Sequence, residues 1–264
     1  MGKAIAKELG KETVLVLAAR NKEKLILAQQ EMKESGYETY IFPVNIQDEE
    51  SVKSLAGYAS SLGAVKNVIH TSGVSPADTK EDAIFEINVL GTIYTTNAFL
   101  PIMSEDGVLI NFASLSAYTQ KPQDAWYEAY ETWEKEGFAD RFKELLVSAG
   151  DDPFSKAAFA YLLSKRFVIY YTQKNVVRFR KRGCRILSVS PGSYLTPMHQ
   201  KLIDNQPEMA EGQLQLIPTK RWGHPYEIAA LVKFLCSTGA GFISGVDILA
   251  DGGQTANTFI KQLD

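Results

Sequence analysis

Tyr161 and Lys165 stand four positions apart in the run Tyr161-Leu162-Leu163-Ser164-Lys165. That spacing puts both side chains on one face of a helix. An ammonium beside a phenol favours the phenolate and lowers its pKa. A tyrosine tuned in this way can protonate a carbonyl oxygen, or take a proton from an alcohol, near neutral pH. Alone the pair decides little, because tyrosine and lysine meet at this spacing by chance in many helices. Chemistry also needs partners, and the elements that precede and follow the pair must supply them.

Short apolar runs alternate with helical periodicity along most of the chain. Strands are predicted at Thr13–Ala18, Tyr37–Val44, Val65–His70, Gly107–Ala113, Cys184–Ser190 and Val246–Ala250. Helices are predicted at Asn21–Gly36, Asp48–Leu62, Ala83–Leu100, Phe154–Arg182 and Tyr226–Ser237. Such alternation implies right-handed crossovers and an α/β fold: a doubly wound parallel sheet, Rossmann-like, with helices on both faces. In these sheets ligands sit beyond the carboxyl ends of the strands. The residues there are Ala19-Arg20, Asn45, His70-Thr71-Ser72-Gly73, Ser114 and Pro191-Gly192.

The 264 residues fit one domain spanning 1–264. Apolar residues make up 45% and charged residues 22%, with a net charge of −3. This balance excludes a disordered chain and a domain that binds nucleic acid by bulk charge. No apolar run approaches a membrane span, and the amphipathic opening has no signal-peptide core, so the expected location is the cytoplasm. Cys184 and Cys236 read as small buried hydrophobes. His70, His199 and His224 are scattered without carboxylate spacing, so no metal site is expected. His70 reads as a structural hydrogen-bonding residue.

Taken in order, the motifs resemble those of the short-chain dehydrogenase/reductase family. The matching residues are His70-Thr71-Ser72-Gly73, Ile87-Asn88-Val89-Leu90-Gly91, Ser114, the Tyr161/Lys165 pair, Pro191-Gly192 with Thr196-Pro197-Met198, Arg221-Trp222-Gly223-His224-Pro225, and Asp251-Gly252-Gly253. The resemblance implies hydride transfer between a nicotinamide cofactor and a carbonyl or alcohol substrate. Tyr161 would be the general acid/base. Lys165 would lower its pKa and hold the nicotinamide ribose, Ser114 would hydrogen-bond the substrate oxygen, and Asn88 would hold a proton-relaying water. Gly2, Arg20, Asn45, Ile46, Ser72, Gly73, Pro191, Gly192 and Thr196 would join Tyr161 and Lys165 in binding the cofactor. The strand tip that carries an acidic residue in NAD-binding members has Ala19 followed by Arg20 here, which favours NADP(H). Arg20 also reads as a solvated helix-entry charge.

Two features depart from the resemblance. The family's opening strand and glycine-rich turn have no counterpart before Gly2, which implies a sheet without its usual first strand. Either Met1 is internal to a longer chain, or the chain is a non-catalytic member that binds a ligand or a protein. The second departure is an insertion over 119–153: Ser114 and Tyr161 lie 47 positions apart. Trp126, Tyr130, Trp133, Phe138, Phe142 and Leu145 recur at helical steps, so one or two amphipathic helices are expected. A similar insertion marks the subgroup resembling bacterial 3α-hydroxysteroid dehydrogenase/carbonyl reductases. Trp126, Tyr130 and Trp133 would line a lid over a bulky apolar carbonyl compound, or serve in packing or subunit contact. The insertion leads into the helix that many family members use for tetramer contacts, so a homo-oligomer, dimer or tetramer, is expected.

Overall fold

The computed structural model describes residues 1–77 and 79–260. Strands and helices alternate from the start: α1 (Gly2–Leu9), β1 (Leu15–Ala19), α2 (Lys22–Glu34), β2 (Thr39–Pro43), α3 (Glu49–Leu62) and β3 (Val65–His70). Polar residues between strand and helix cap the helices. Asn21 Oδ1 accepts from the Lys24 amide at 2.8 Å, and Asp48 Oδ1 from the Glu50 amide at 3.1 Å. The caps explain why the carboxyl ends of the strands carry polar side chains.

The predicted helix Ala83–Leu100 is instead three consecutive pieces: α4 (Glu81–Ile84), a π-helical turn (Phe85–Leu90) and α5 (Gly91–Phe99). Strand β4 (Met103–Phe112) follows. The insertion folds as α6 (Asp124–Tyr130) and α7 (Phe138–Leu145). Helix α8 (Pro153–Lys174) has Pro153 in its first turn and Asp152 as its cap, Oδ2 accepting from the Ser155 amide at 2.8 Å. The long helix predicted to Arg182 breaks at Asn175 into α8 and α9 (Val176–Arg180). Next come β5 (Arg185–Pro191), α10 (Pro197–Asn205), α11 (Pro207–Leu216), α12 (Pro225–Cys236), β6 (Asp247–Ala250) and α13 (Gln254–Ile260).

All strand pairs are parallel, as the alternation predicts, but hydrogen bonding divides them into two sheets. One is β1-β2, the other β3-β4-β5-β6. Side chains join what the ladders do not. On one face, Val44 and Val52 share a cluster with Val68 of β3 and Leu109 of β4. On the other, α1 spans both sheets: Ile5 packs with Val108, Ile110 and α12, while Ala6 packs with Leu15 and Met32. The result is a Rossmann-like layer with helices on both sides. Among the described residues, no helix is long and apolar enough to cross a membrane. Cys184 and Cys236 are free thiols, Cys184 buried and Cys236 partly so.

The insertion lies on the outer side of α8. Trp126 is 2% exposed and Tyr130 0%. Trp126 meets Phe159 edge-on at 5.8 Å between centroids, and Tyr130 meets Phe167 at 5.4 Å. The Tyr130 hydroxyl donates to the Leu163 carbonyl at 2.8 Å. Phe142 packs on Phe85 at 4.9 Å, and partly buried Trp133 meets Tyr171 at 5.5 Å. The surfaces of Trp126 and Tyr130 are therefore spent on α8 rather than left facing a substrate. The geometry matches the packing alternative rather than the lid. Accordingly, Trp126→Ala is expected to cost about 3–5 kcal/mol of unfolding free energy. Urea denaturation measures it; a lid residue would leave the midpoint unchanged.

Candidate active site

Helix α8 crosses the carboxyl end of β4, and its position decides where the Tyr161/Lys165 pair stands. Lys165 is buried, and its ammonium donates to the carbonyl of Phe112, the last residue of β4, at 2.9 Å. Burial pushes its pKa down to about 8. Gly73, in the turn after β3, leaves room for this ammonium: a Cβ there would lie 3.1 Å from Lys165 Nζ and 3.3 Å from Asn88 Oδ1. The ammonium is 5.7 Å from the centre of the Tyr161 ring.

Tyr161 is partly buried, and burial raises its phenol above the ordinary value, while the neighbouring Ser114 hydroxyl pulls it the other way. This corrects the sequence expectation that Lys165 sets the direction of the shift. The ammonium stands 5.7 Å from the ring centre, and burial is the main cause of the upward shift. Ser114 follows β4 and opens a short 3-10 turn, Leu115–Tyr118. Its Oγ accepts from the Ser116 amide at 3.2 Å, which fixes the hydroxyl's orientation.

Asn88 sits inside the π-helical turn and is buried. The extra residue of a π turn rotates side chains relative to an ordinary helix, and such turns recur at functional sites. Here Asn88 accepts from the Val74 amide at 2.9 Å and donates to the Val74 carbonyl at 3.1 Å. Its amide also donates to Ser164 Oγ at 3.1 Å, and Ser164 donates to the Tyr161 carbonyl at 2.8 Å. Asn88 thus ties the turn after β3 to the backbone of Tyr161. Its own carbonyl accepts from Thr92 Oγ1 at 2.7 Å. Ser164 and Thr92 were not singled out in the sequence. Their only signal is a hydroxyl one helical step from a residue already chosen.

His70 lies at the end of β3, opposite Asn111 of β4, and is buried. Its Nδ1 is 3.4 Å from Thr95 Oγ1, while Nε2 has no partner among the described residues. Burial, with a smaller push from Lys165, lowers its pKa to about 3. Burial thus favours the neutral imidazole.

The other residues assigned to the cofactor line the same edge of the layer. Gly2 opens α1 beside the turn after β3; a Cβ there would lie 3.0 Å from Thr71 Oγ1. The Met1 side chain makes no cap hydrogen bond to α1. Arg20 is exposed at the tip of β1. Asn45 is exposed past β2, its amide donating to Ser51 Oγ at 3.0 Å. Ile46 is buried against Gly91, where a Cβ would come within 2.8 Å of Ile46 Cγ1. Ser72 is half-buried in the turn that ends at Gly73. Pro191 ends β5. Gly192 next to it admits no side chain, because Asp251 Cα would be 2.6 Å from its Cβ. Asp251 in turn accepts from the Gly253 and Thr255 amides at 2.9 and 2.7 Å, fixing the start of α13. Thr196 Oγ1 accepts from the His199 amide at 3.3 Å at the start of α10. A glycine cradle beside Lys165 and a cation at the far tip suit a dinucleotide. Gly73 and Gly192 shape the cradle by having no side chain.

Two family models match the chain, short chain dehydrogenase over residues 1–130 and enoyl-(acyl carrier protein) reductase over 146–255. The chain is 31% identical to the short-chain dehydrogenase/reductase bsc3 of Alternaria brassicicola, over 97% of this chain and 92% of that one. It is similar in fold to 7α-hydroxysteroid dehydrogenase complexed with NADH and 7-oxo glycochenodeoxycholic acid. There the TM-score is 0.76 at 22% identity, covering 96% of this chain and 89% of that one. A variant of actinorhodin polyketide ketoreductase with NADPH gives 0.76 at 20% identity, covering 96% and 92%.

His70 also sets an acid limit. Its folded pKa lies below the ordinary 6.5, so the stability tied to its neutral form is complete above pH 6.5. That stability is lost as pH falls from 6.5 toward 3, by up to about 1.4 kcal/mol per pH unit. Unfolding measured between pH 7 and 4 is expected to show a shallower decline for His70→Asn than for the natural chain.

Proposed function

Because the chain belongs to the short-chain dehydrogenase/reductase family, oxidoreductases acting on alcohol and carbonyl groups, we propose that it reduces a carbonyl compound with Tyr161 as acid, Ser114 as polarising donor and Lys165 as charge partner. The observation that carries this reading is the convergence of Tyr161, Ser114 and Lys165 at the carboxyl end of β4. A phenol held above its ordinary pKa keeps its proton at neutral pH. It can pass that proton to a substrate oxygen that becomes basic, and the same group can take one from an alcohol in the reverse direction. Ser114, its hydroxyl held by the Ser116 amide, donates to the same oxygen and steadies the charge that builds on it. Once the proton has left Tyr161, the Lys165 ammonium stabilises the phenolate. Asn88 keeps the turn after β3 and the Tyr161 backbone in fixed relation.

The nicotinamide supplies the hydride; the chain supplies position and protons. Gly73, Gly192 and Lys165 would hold its nicotinamide end, and the first amides of α1 its phosphates. NADP(H) is the favoured cofactor. The two structural neighbours carry NADH and NADPH respectively, so the choice rests on local charge. At the β1 tip Ala19 offers no carboxylate to a ribose 2′-hydroxyl, and exposed Arg20 offers a guanidinium to a 2′-phosphate. The substrate is a small-molecule carbonyl or alcohol compound. A homo-oligomeric assembly belongs to the same proposal, with Trp126 and Tyr130 kept out of any interface by burial within their own chain.

Two measurements test this. Tyr161→Phe is expected to lower kcat roughly 10²–10⁴-fold, the usual worth of a general acid, while NADPH still binds by fluorescence titration. Turnover of the variant at the natural rate would refute the mechanism. Arg20→Ala should weaken NADPH binding roughly tenfold and leave NADH binding within twofold, because a charge-assisted bond to one phosphate is lost. Equal effects on both cofactors would show that Arg20 does not select.

A further inference from the structure

The turn that carries Ser114 is held from behind as well as from the site. Arg166 follows Lys165 on α8 and leads a stripe, with Ile169, Tyr170 and Gln173, along one wall of a cavity of about 340 Å³. Tyr118, Tyr127 and Asp247 complete the wall. Arg166 Nη1 donates to the Ala117 carbonyl at 3.3 Å, and Nη2 to the Tyr127 hydroxyl at 3.1 Å. Its guanidinium also lies 5.9 Å from the centre of the Tyr118 ring. Asp247, the carboxylate lining this cavity, is already engaged. Tyr118 donates to its Oδ2 at 2.6 Å and Ser188 donates to its Oδ1. Arg166 therefore spends its donors on a backbone carbonyl and a phenol rather than on a carboxylate.

Three segments meet at this one guanidinium. Ala117 belongs to the 3-10 turn opened by Ser114, and its amide donates to the Ser114 carbonyl at 3.1 Å. Tyr127 belongs to α6 of the insertion, and α8 itself carries Tyr161 and Lys165. We propose that Arg166 is a positioning residue: it locks the Ser114 turn to the helix that bears Tyr161, and through Tyr127 makes the insertion part of that lock. The fork of a guanidinium suits this task, because it bonds two partners in different directions from one rigid group. A misplacement of about 1 Å between reacting groups is enough to cost ~10²-fold in rate. The proposal rests on the reading of Tyr161 and Ser114 as acid and polarising donor.

The test uses the full chain with Arg166→Met, Arg166→Lys and Tyr127→Phe. Amide hydrogen exchange at Ser116 and Ala117 reports on the turn without relying on activity. Arg166→Met is expected to speed exchange there roughly tenfold or more, with exchange in α12 unchanged. It should lower kcat roughly tenfold with KM for NADPH within about twofold. The pH–rate limb of Tyr161 should move upward, because the Ser114 hydroxyl no longer offsets burial there. Arg166→Lys, a single point donor, should restore part of the loss, and Tyr127→Phe should show a smaller effect of the same kind. Exchange at Ser116 and Ala117 within twofold of the natural chain in Arg166→Met overturns the proposal, whatever happens to kcat. Should Arg166→Met not fold, unchanged exchange and pH profile in both other variants overturn it equally. Faster exchange together with an active Tyr161→Phe would keep the lock and refute the role of Tyr161.

Discussion

Lys165 carries its charge into the interior, and its hydrogen bond runs to the carbonyl at the end of β4. An ammonium taken out of water costs several kcal/mol unless its donors are met and its surroundings tightly fixed. Much of the nearby structure follows from that cost. The turn after β3 must bring glycine to the ammonium, because a side chain at position 73 would touch it. Helix α8 must lie close enough for Nζ to reach Phe112. Its opposite side is pressed inward by Trp126, Tyr130, Phe138 and Phe142, all buried. The aromatic layer and the charged site are thus two sides of one helix.

Much of this was legible in the sequence. The alternation of apolar strands with capped helices gave the layered fold, because burial on both faces leaves short runs such as Ile186-Leu187-Ser188-Val189, all buried in β5. The Tyr161/Lys165 spacing gave their shared face, because α8 is an unbroken helix there. Other features depended on information that side-chain type does not carry. The π turn is a change in backbone bonding, and Phe85-Glu86-Ile87-Asn88-Val89-Leu90 has the apolar pattern of any buried helix. The direction of the Tyr161 shift turned on how much water the fold removes. The aromatics of 119–153 have the same spacing whether they face a substrate or a neighbouring helix. Helices α10 and α11 follow Thr196 and Gln206, each starting at a proline, and were not predicted.

Division of the strands into two sheets also divides the work. Arg20 and Asn45 follow the strands of the small sheet; Ser114, Gly192 and the Lys165 carbonyl partner belong to the large one. Val44, Val52, Val68 and Leu109 on one side, and α1 on the other, join the two through apolar contact, with ion pairs from α1 to Glu31 of α2 and Lys233 of α12 and a Gln47–Glu86 hydrogen bond beside it. No backbone ladder crosses between the two sheets, so their relative setting depends on side-chain contacts.

The π turn at Asn88 can also be described as a matter of counting. It holds one residue more than a regular helix needs to cover the same length. Removing one residue from Phe85–Leu90 would give a more regular helix and a poorer site. The helix on either side would keep its setting, and the loss would fall on the side-chain directions within the turn. Asn88 would then lose either Val74 or Ser164. A segment of this kind tolerates exchange of side chains far better than loss of a single position. Its length, more than its composition, is the quantity the site depends on.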